Sequence, residues 1–172
     1  MGIDTPAQIT EMTIGDHAEV AALWQTCEGV GFSASDSRAG IARLLARNPH
    51  SSFVARAASG ELVGAILGSH DGMRAYLRHL AVARAHRRRG IGRALVERCL
   101  AEFTALGLFK CTLFTFPDNA TGRGFWERLG WRERTDLRVL QRVLEPQAPA
   151  SPPSTLRMPA PPAPAPGTPH RE

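Results

Sequence analysis

The chain is 172 residues long, 43% of them hydrophobic, and carries a net charge of +5 at pH 7. This length favours one domain with a proper core. No run approaches the ~20 apolar residues that span a bilayer, and the first residues lack a signal-peptide pattern, so we expect a cytoplasmic protein without a membrane partner. Because the basic excess is modest and acidic residues share the same segments, no nucleic-acid partner is expected.

Cysteine spacing and proline content bear on organisation. Cys27, Cys99 and Cys111 lie in apolar runs without metal-ligand spacing, so we predict core side chains and no metal site. From Pro146 onward, ten of 27 residues are proline, and such a segment cannot form a core. We therefore predict one folded domain over residues 1–145 and a disordered tail over 146–172.

Hydrophobic periodicity, helix caps and turn residues divide residues 8–144 into helices and strands. Asp16 with Glu19 has the form of a capping box, and Asp36 or Ser37 can cap a second helix. The predicted elements are, in order, a strand over Gln8–Ile14, a helix from Asp16 to Cys27, a helix from Ser37 to Arg47, an antiparallel meander over Ser52–Ala57, Leu62–Ser69 and Tyr76–Val82, a helix over Ala94–Leu106, a strand over Lys110–Phe116, a helix from Asn119 to Gly130 and two strand segments within Trp131–Leu144.

The turn over residues 87–92 joins the last meander strand to the following helix. A glycine-containing turn that opens a helix leaves backbone N–H groups unpaired and aimed at one point, where the helix dipole adds positive charge. Gly90 and Gly92 permit close approach of an anion, and five arginines lie between Arg84 and Arg93. The spacing fits neither a Walker A loop nor a three-glycine Rossmann fingerprint. The turn therefore predicts a phosphate site.

Two motifs resemble those of the GCN5-related N-acetyltransferases (GNAT), especially their small bacterial members. One is Arg-x-x-Gly-x-Gly at residues 87–92, the family's grip on the pyrophosphate of coenzyme A. The other is similar to Asn-x-x-Ala-x-x-Phe-Tyr-x-x-x-Gly-Phe and consists here of Asn119, Gly122, Phe125, Trp126, Gly130 and Trp131. The resemblance covers nearly all of residues 9–144. It implies the GNAT fold, an α/β (α+β) architecture with a mixed, mostly antiparallel sheet flanked by helices, whose fourth and fifth strands splay apart.

The resemblance implies an acetyl-CoA-dependent N-acetyltransferase whose pantetheine arm lies between the splayed strands. Backbone groups of the fourth strand should hold the pantetheine arm. Backbone amides of the arginine-rich turn should bind the pyrophosphate. The cofactor-binding residues implied in this way are Leu80, Ala81, Val82, Arg87, Arg88, Arg89, Gly90, Ile91, Gly92, Arg93, Asn119, Gly122, Arg123, Phe125, Trp126 and Arg128. For three of them another role stays open: a helix cap for Asn119, and solvated surface charges for Arg123 and Arg128.

The resemblance also implies direct attack of an amine on the thioester, which needs a base, an oxyanion donor and an acid for the thiolate. The family's tyrosine acid is replaced by Trp126, whose indole N–H has no usable acidity. Either the thiolate leaves unprotonated or another group takes over, and Tyr76, the only tyrosine, is a candidate that could equally pack the sheet. Alternation places Tyr76, Arg78 and Leu80 on one strand face and His79 on the other, against a helix, unless a bulge reverses the phase.

Acidic residues supply the candidates for the acceptor side. Glu28 is the preferred anchor for a cationic substrate, or a base acting through water, and Asp36 and Asp71 are further substrate-binding candidates that could instead be a helix cap and a turn residue. The acceptor is a small-molecule amine or a protein amino group. A non-catalytic acyl-CoA sensor, motivated by Trp126, and a nucleic-acid binder stay open as other functions. A homodimer paired through the C-terminal strands, common among relatives, is a further expectation.

Overall fold

The computed structural model describes residues 7–31, 33–142 and 144. The predicted tail over residues 146–172 lies outside them. The chain divides into two compact units, residues 1–133 and 134–172. The sheet and the candidate site belong to the first unit.

Five strands and four α-helices form the described part of the first unit. The strands are β1 (Gln8–Glu11), β2 (Phe53–Arg56), β3 (Leu62–His70), β4 (Ala75–Val82) and β5 (Cys111–Leu113). The helices are α1 (His17–Thr26), α2 (Arg38–Arg47), α3 (Ile91–Ala105) and α4 (Ala120–Arg128). Strand order follows chain order, with antiparallel pairing up to β4 and parallel pairing of β4 with β5. The predicted mixed, mostly antiparallel sheet flanked by helices is confirmed.

Helices cover both faces of this sheet because apolar side chains recur at helical spacing. On one face α1 and α2 bury Val20, Trp24 and Ile41 against the strands. On the other face α3 buries Leu95 and Phe103. Within the described residues no helix is long and apolar enough to cross a membrane.

Two details at the N-terminal end differ from the prediction. β1 ends at Glu11, and the predicted Asp16–Glu19 capping box is wrong. The Asp16 carboxylate instead accepts hydrogen bonds from the backbone N and the hydroxyl of Thr13 (2.8 and 2.9 Å) and from Arg56 (2.7 Å). Because Asp16 turns back toward β1 and β2, it fixes where α1 starts on the sheet.

The two strand segments predicted within Trp131–Leu144 are wrong for the described residues, which form neither helix nor strand there. Arg134 and Asp136 form a bidentate ion pair (2.8 and 2.7 Å) across a tight turn. Apolar residues of the second unit, such as Val139 and Leu140, are exposed. Alternation alone cannot make a strand, because a strand also needs a partner backbone to pair its N–H and C=O groups. The C-terminal strands behind the homodimer expectation are therefore not formed in the described residues.

A β-bulge interrupts β4. The register with β3 shifts between Ala65 and Leu67, so that His79 and Leu80 of β4 both lie opposite Ile66. His79 has φ 53°, in the left-handed region that a non-glycine residue seldom adopts. The extra residue reverses the side-chain alternation of the strand from this point on.

The reversed alternation changes which residues share a face of β4. Leu80 packs in the apolar cluster under α3. His79 instead stacks edge-on against Trp24 of α1, with ring centroids 4.8 Å apart. The prediction that Tyr76, Arg78 and Leu80 share one face is therefore wrong, because Leu80 lies on the α3 side. The prediction that His79 lies on the face opposite Tyr76 is also wrong, whereas the expectation that His79 packs against a helix is confirmed.

β4 and β5 pair over only three residues. The partners run from Ala75 with Cys111 to Leu77 with Leu113. β4 continues to Val82 while β5 ends, so a gap opens beside the second half of β4. The predicted splay of the fourth and fifth strands is confirmed.

We expect Gly68→Ala to destabilise the protein by about 3 kcal/mol, because an added Cβ would collide with the backbone carbonyl of Ser51. That carbonyl cannot easily move, since it accepts a hydrogen bond from the Cys99 thiol (3.3 Å) in a buried position. The measurement is urea unfolding followed by circular dichroism.

Gly124→Ala is the matched control for this substitution. Its Cβ would meet only Arg128 Nη1, at 3.5 Å, and alanine is favoured over glycine in a helix. The control should be at least as stable as the parent protein. Equal unfolding midpoints for the two variants would contradict this account of β3.

Candidate active site

The N-terminus of α3 lies open at the end of β4. Gly90 is its N-cap residue, has φ 83°, and provides no side-chain cap. The first backbone bond of the helix runs from Ala94 N to Gly90 O (3.0 Å), so the N–H groups of Ile91, Gly92 and Arg93 have no acceptor within the helix. With the helix dipole, these donors make an anion site.

The glycines of this turn have different roles. A Cβ at Gly90 would meet no atom within 4 Å and would project into open space. A Cβ at Gly92 would lie 3.4 Å from the Phe125 ring and 3.6 Å from Val82 Cγ2. Gly92 therefore packs between the end of β4 and α4, which brings together two motifs that are distant in the sequence.

Arg87 turns back over the end of β4. Its Nε donates to the carbonyl of Val82 (3.0 Å), and its Nη1 lies 3.8 Å from Glu28 Oε2. The Cys27 thiol contacts the same carbonyl (3.7 Å). A ligand that donates a hydrogen bond to the Val82 carbonyl would therefore compete with Arg87 and Cys27.

Other arginines of the turn hold different positions. Arg88 has φ 66°, so Arg88 and Gly90 both have left-handed backbone conformations. These two conformations curve the backbone of the turn. Arg93 Nε pairs with Glu97 on the exposed surface of α3 (2.9 Å). Arg93 can therefore serve an anion through its amide rather than its guanidinium.

Asn119 caps α4, with its Oδ1 accepting from Gly122 N (2.8 Å). The loop after α1 lies directly on this cap, because a Cβ at Gly29 would collide with the Asn119 amide nitrogen. A Cβ at Gly31 would similarly lie 3.1 Å from the Phe116 ring. This loop thus reaches from α1 to the β5–α4 side of the gap.

The remaining cofactor-binding candidates on α4 are an aromatic side chain that is packed and two arginines that are exposed. Trp126 stacks edge-on against Phe125 and Trp131, with centroids 5.0 and 5.2 Å apart, in the cluster under α3. Arg123 and Arg128 are exposed. The geometry favours a packing role for the Trp126 ring.

The acidic candidates are engaged to different degrees. The Asp36 carboxylate is buried, and its Oδ2 accepts from the backbone N (2.6 Å) and the hydroxyl (3.0 Å) of Ser33. Asp71 Oδ1 accepts from the amides of Arg74 and Met73 (2.8 Å each), and these bonds lower the pKa of its carboxyl. Both carboxylates therefore have local partners. The Glu28 side chain is 85% exposed beside the gap.

His79 and Asp36 form a contact that sequence reasoning missed. His79 Nε2 lies 3.1 Å from Asp36 Oδ1, and Trp24 Nε1 donates to the His79 carbonyl (3.0 Å). The contact ties the loop between α1 and α2 to the bulge of β4. No sequence signal reveals it, because it depends on the left-handed backbone at His79.

A cavity of about 420 Å³ lies between α2 and the β3–β4 hairpin. Its lining includes Arg43 and Arg47 from α2, Asp71 from the hairpin turn, and Tyr76 and Arg78 from β4. Arg78 lies over the Tyr76 ring, 5.8 Å from its centroid. Of the acceptor-side candidates, the structure brings Tyr76 and Asp71 together here, whereas Glu28 and Asp36 do not line this cavity.

Residues 17–131 match the model of the acetyltransferase (GNAT) family. The chain belongs to the GNAT family. Acetyltransferase SG1711 from Sodalis glossinidius is 33% identical over 133 residues, which cover 77% of this chain and 92% of that protein.

Solved structures share the fold of this GNAT acetyltransferase. Ard1 from Thermoplasma volcanium has a TM-score of 0.65 and 27% identity, covering 73% of this chain and 82% of that one. AAC(6')-Iy, solved with a bisubstrate analog of CoA, has a TM-score of 0.63 and 20% identity, covering 81% of this chain and 98% of that one. At that identity the AAC(6')-Iy match supports the fold alone.

Cys99 and Cys111 of this GNAT acetyltransferase are poor nucleophiles. Burial raises the pKa of the Cys99 thiol to about 12 and that of the Cys111 thiol to about 11. Within residues 7–31, 33–142 and 144, no three His, Cys, Asp or Glu side chains form a cluster that could hold a metal ion.

We expect Cys99 and Cys111 to react slowly with the thiol reagent DTNB in the native protein. A raised pKa keeps a thiol protonated, so at about pH 8 roughly a thousandth of Cys111 is thiolate. Peptide mapping after timed labelling should show at least a roughly hundredfold acceleration on unfolding. Rapid native labelling of Cys111 would contradict its assigned environment.

Proposed function

We propose that this protein is an acetyl-CoA-dependent N-acetyltransferase that transfers acetyl to a primary amine by direct attack. The single observation that carries the proposal is the open N-terminus of α3 at the end of a gap between β4 and β5. Membership of the acetyltransferase family supports the same reaction class.

The residues around the gap fit coenzyme A. Gly90 leaves open space in front of the helical amides, which suits a pyrophosphate. The gap-side backbone of Leu80 and Val82 can pair with an extended arm once Arg87 releases the Val82 carbonyl. Asn119 faces the loop after α1 on the other side of the gap. When bound, acetyl-CoA supplies the thioester carbon and the thiol leaving group.

The chain's own residues then provide position and proton control. In the transfer the amine nitrogen bonds to the acyl carbon, the C–S bond breaks, the ammonium loses protons and the sulfur leaves as thiolate or thiol. A backbone N–H near Ala81 or Val82 is the proposed oxyanion donor. Glu28, exposed beside the gap, is the proposed base through water. Because the Trp126 ring is packed between aromatic side chains, Tyr76 is the proposed acid.

A non-catalytic acyl-CoA-binding domain is the second candidate. The absence of a tyrosine at position 126 favours it, because an indole cannot protonate a thiolate. A simple thiol has a pKa of about 8.5, however, so departure without an acid is tolerable. Cofactor binding without amine-dependent release of free thiol, across a broad panel of amines, would establish this alternative.

We expect Gly90→Ala to weaken acetyl-CoA binding by about tenfold, because its Cβ enters the proposed pyrophosphate site and an amide contact is lost. Isothermal titration measures the affinity, and release of free thiol with amines measures turnover. Failure of the parent protein to bind acetyl-CoA would overturn the proposed function.

Gly60→Ala is the matched control. Gly60 has φ 87°, and its Cβ would likewise meet no atom within 4 Å, but it lies in the β2–β3 turn. Both variants carry the same backbone strain, and only Gly90→Ala should lose affinity. Equal losses of acetyl-CoA affinity in the two variants would show that the effect comes from reduced protein stability. That result would contradict the assigned phosphate site.

We expect Tyr76→Phe to lower kcat by roughly a hundredfold, with a smaller change in KM, if its hydroxyl protonates the thiolate. The phenyl ring keeps the position under Arg78, so packing is conserved. Steady-state kinetics with the parent protein and the variant check this by measuring kcat and KM separately. A rise in KM without a fall in kcat would instead indicate that Tyr76 contacts the acceptor and is not the acid.

A further inference from the structure

We propose that the arginine-lined cavity between α2 and the β3–β4 hairpin binds the carboxylates of an acidic acceptor amine. The ligand's role as acceptor rests on the proposed function, whereas the preference for carboxylates rests on the cavity alone. This differs from the expectation that Glu28 anchors a cationic substrate.

The charges of the cavity lining favour an anion. Arg43, Arg47 and Arg78 contribute three guanidinium groups, against the single carboxylate of Asp71. One oxygen of that carboxylate already accepts two amides of its own turn. Among the described residues, none of these three arginines forms an ion pair. The cavity lining therefore carries an excess of positive charge.

The arginines are spaced to hold more than one carboxylate. Arg43 and Arg47 are four residues apart on α2, on the same side of the helix and about 6 Å apart along its axis. Arg78 approaches from β4 across the cavity, and its guanidinium is steadied by the Tyr76 ring. A planar guanidinium binds a carboxylate through two parallel hydrogen bonds, so this set suits a ligand with two acidic groups.

The cavity has a fixed polar floor. Asn48 is buried, its Oδ1 accepts from His70 N (2.8 Å), and its Nδ2 donates to the carbonyl of Leu44 (3.1 Å). These bonds clamp the end of α2 to the end of β3. His70 also lines the cavity, and its buried Nδ1 has no hydrogen-bond partner in the described residues.

The cavity adjoins the point where the strands part. Arg78 follows Leu77, the last residue of β4 that pairs with β5. An acceptor whose carboxylates contact Arg43 and Arg47 can thus extend its amine past Arg78 toward the apex of the gap. The volume of about 420 Å³ lies in the range of sites for small molecules or chain termini.

The test measures binding first, so that it does not depend on turnover. The probes are a tetrapeptide amide with two N-terminal glutamates, the same peptide with two glutamines, and free glutamate and glutamine. Isothermal titration of the full chain should show the diglutamyl peptide or glutamate binding at least about tenfold more tightly than its amide counterpart. Added salt should reduce this preference.

Substitutions in the cavity lining test whether its arginines cause the preference for acidic probes. R43Q/R47Q/R78Q should abolish the preference for the acidic probe, and Arg78→Lys, which keeps the charge but loses the planar fork, should retain part of it. Arg132→Gln removes an exposed arginine of the same unit outside the cavity and should leave the preference unchanged. Thermal unfolding of each variant checks that it is folded.

Each outcome is decisive. Equal affinity for acidic and amide probes in the parent protein, or a preference that survives in the folded triple variant, would overturn the proposal. A preference with the peptide alone assigns a protein N-terminus as the source, and an equal preference with free glutamate assigns a small acidic amine. Acidic binding together with no acetyl-CoA binding would overturn the proposed function and leave the anion cavity standing.

Discussion

The brevity of the pairing between β4 and β5 is the constraint on which the rest of the structure depends. Three residue pairs hold the strands together, and beyond them the gap-side backbone groups of β4 pair with no strand in the described part of the chain. Such groups are costly when buried and unpaired, so a side chain, water or a ligand has to satisfy them. Arg87 does this for the Val82 carbonyl. The gap, the open helix N-terminus and the loop after α1 are arranged around this unpaired stretch.

Local signals in the sequence predicted the parts of the site that are local in the structure. Ser37 is the helix cap of the two that were predicted, Asp36 or Ser37, and Asn119 has the capping role that was left open beside cofactor binding. Such caps are visible in a sequence because a cap needs only a side-chain oxygen near the next few amides. The turn over residues 87–92 is similarly local. Its glycine at position 90 has the positive φ that the motif requires.

Features that depend on distant partners were not predictable. At the bulge near His79, the register between β3 and β4 shifts by one residue. No pattern in residues 75–82 predicts this shift. The prediction of strands after Trp131 was wrong for a different reason. The alternating pattern is present there, but in the described residues no partner backbone pairs with it. The cavity likewise joins arginines from α2 and β4 that are more than 30 positions apart, in a chain where arginine is common.

The two walls of the gap differ in how firmly they are held. β4 is paired along most of its length with the nine-residue β3, while β5 has only three pairs with β4. A segment with few backbone bonds opens at a lower free energy than the rest of its domain. Amide protons of β5 should consequently exchange with solvent well before those of β3. Any widening of the gap would thus displace the β5 side more readily than the β4 side, because β4 is held by its pairing with β3.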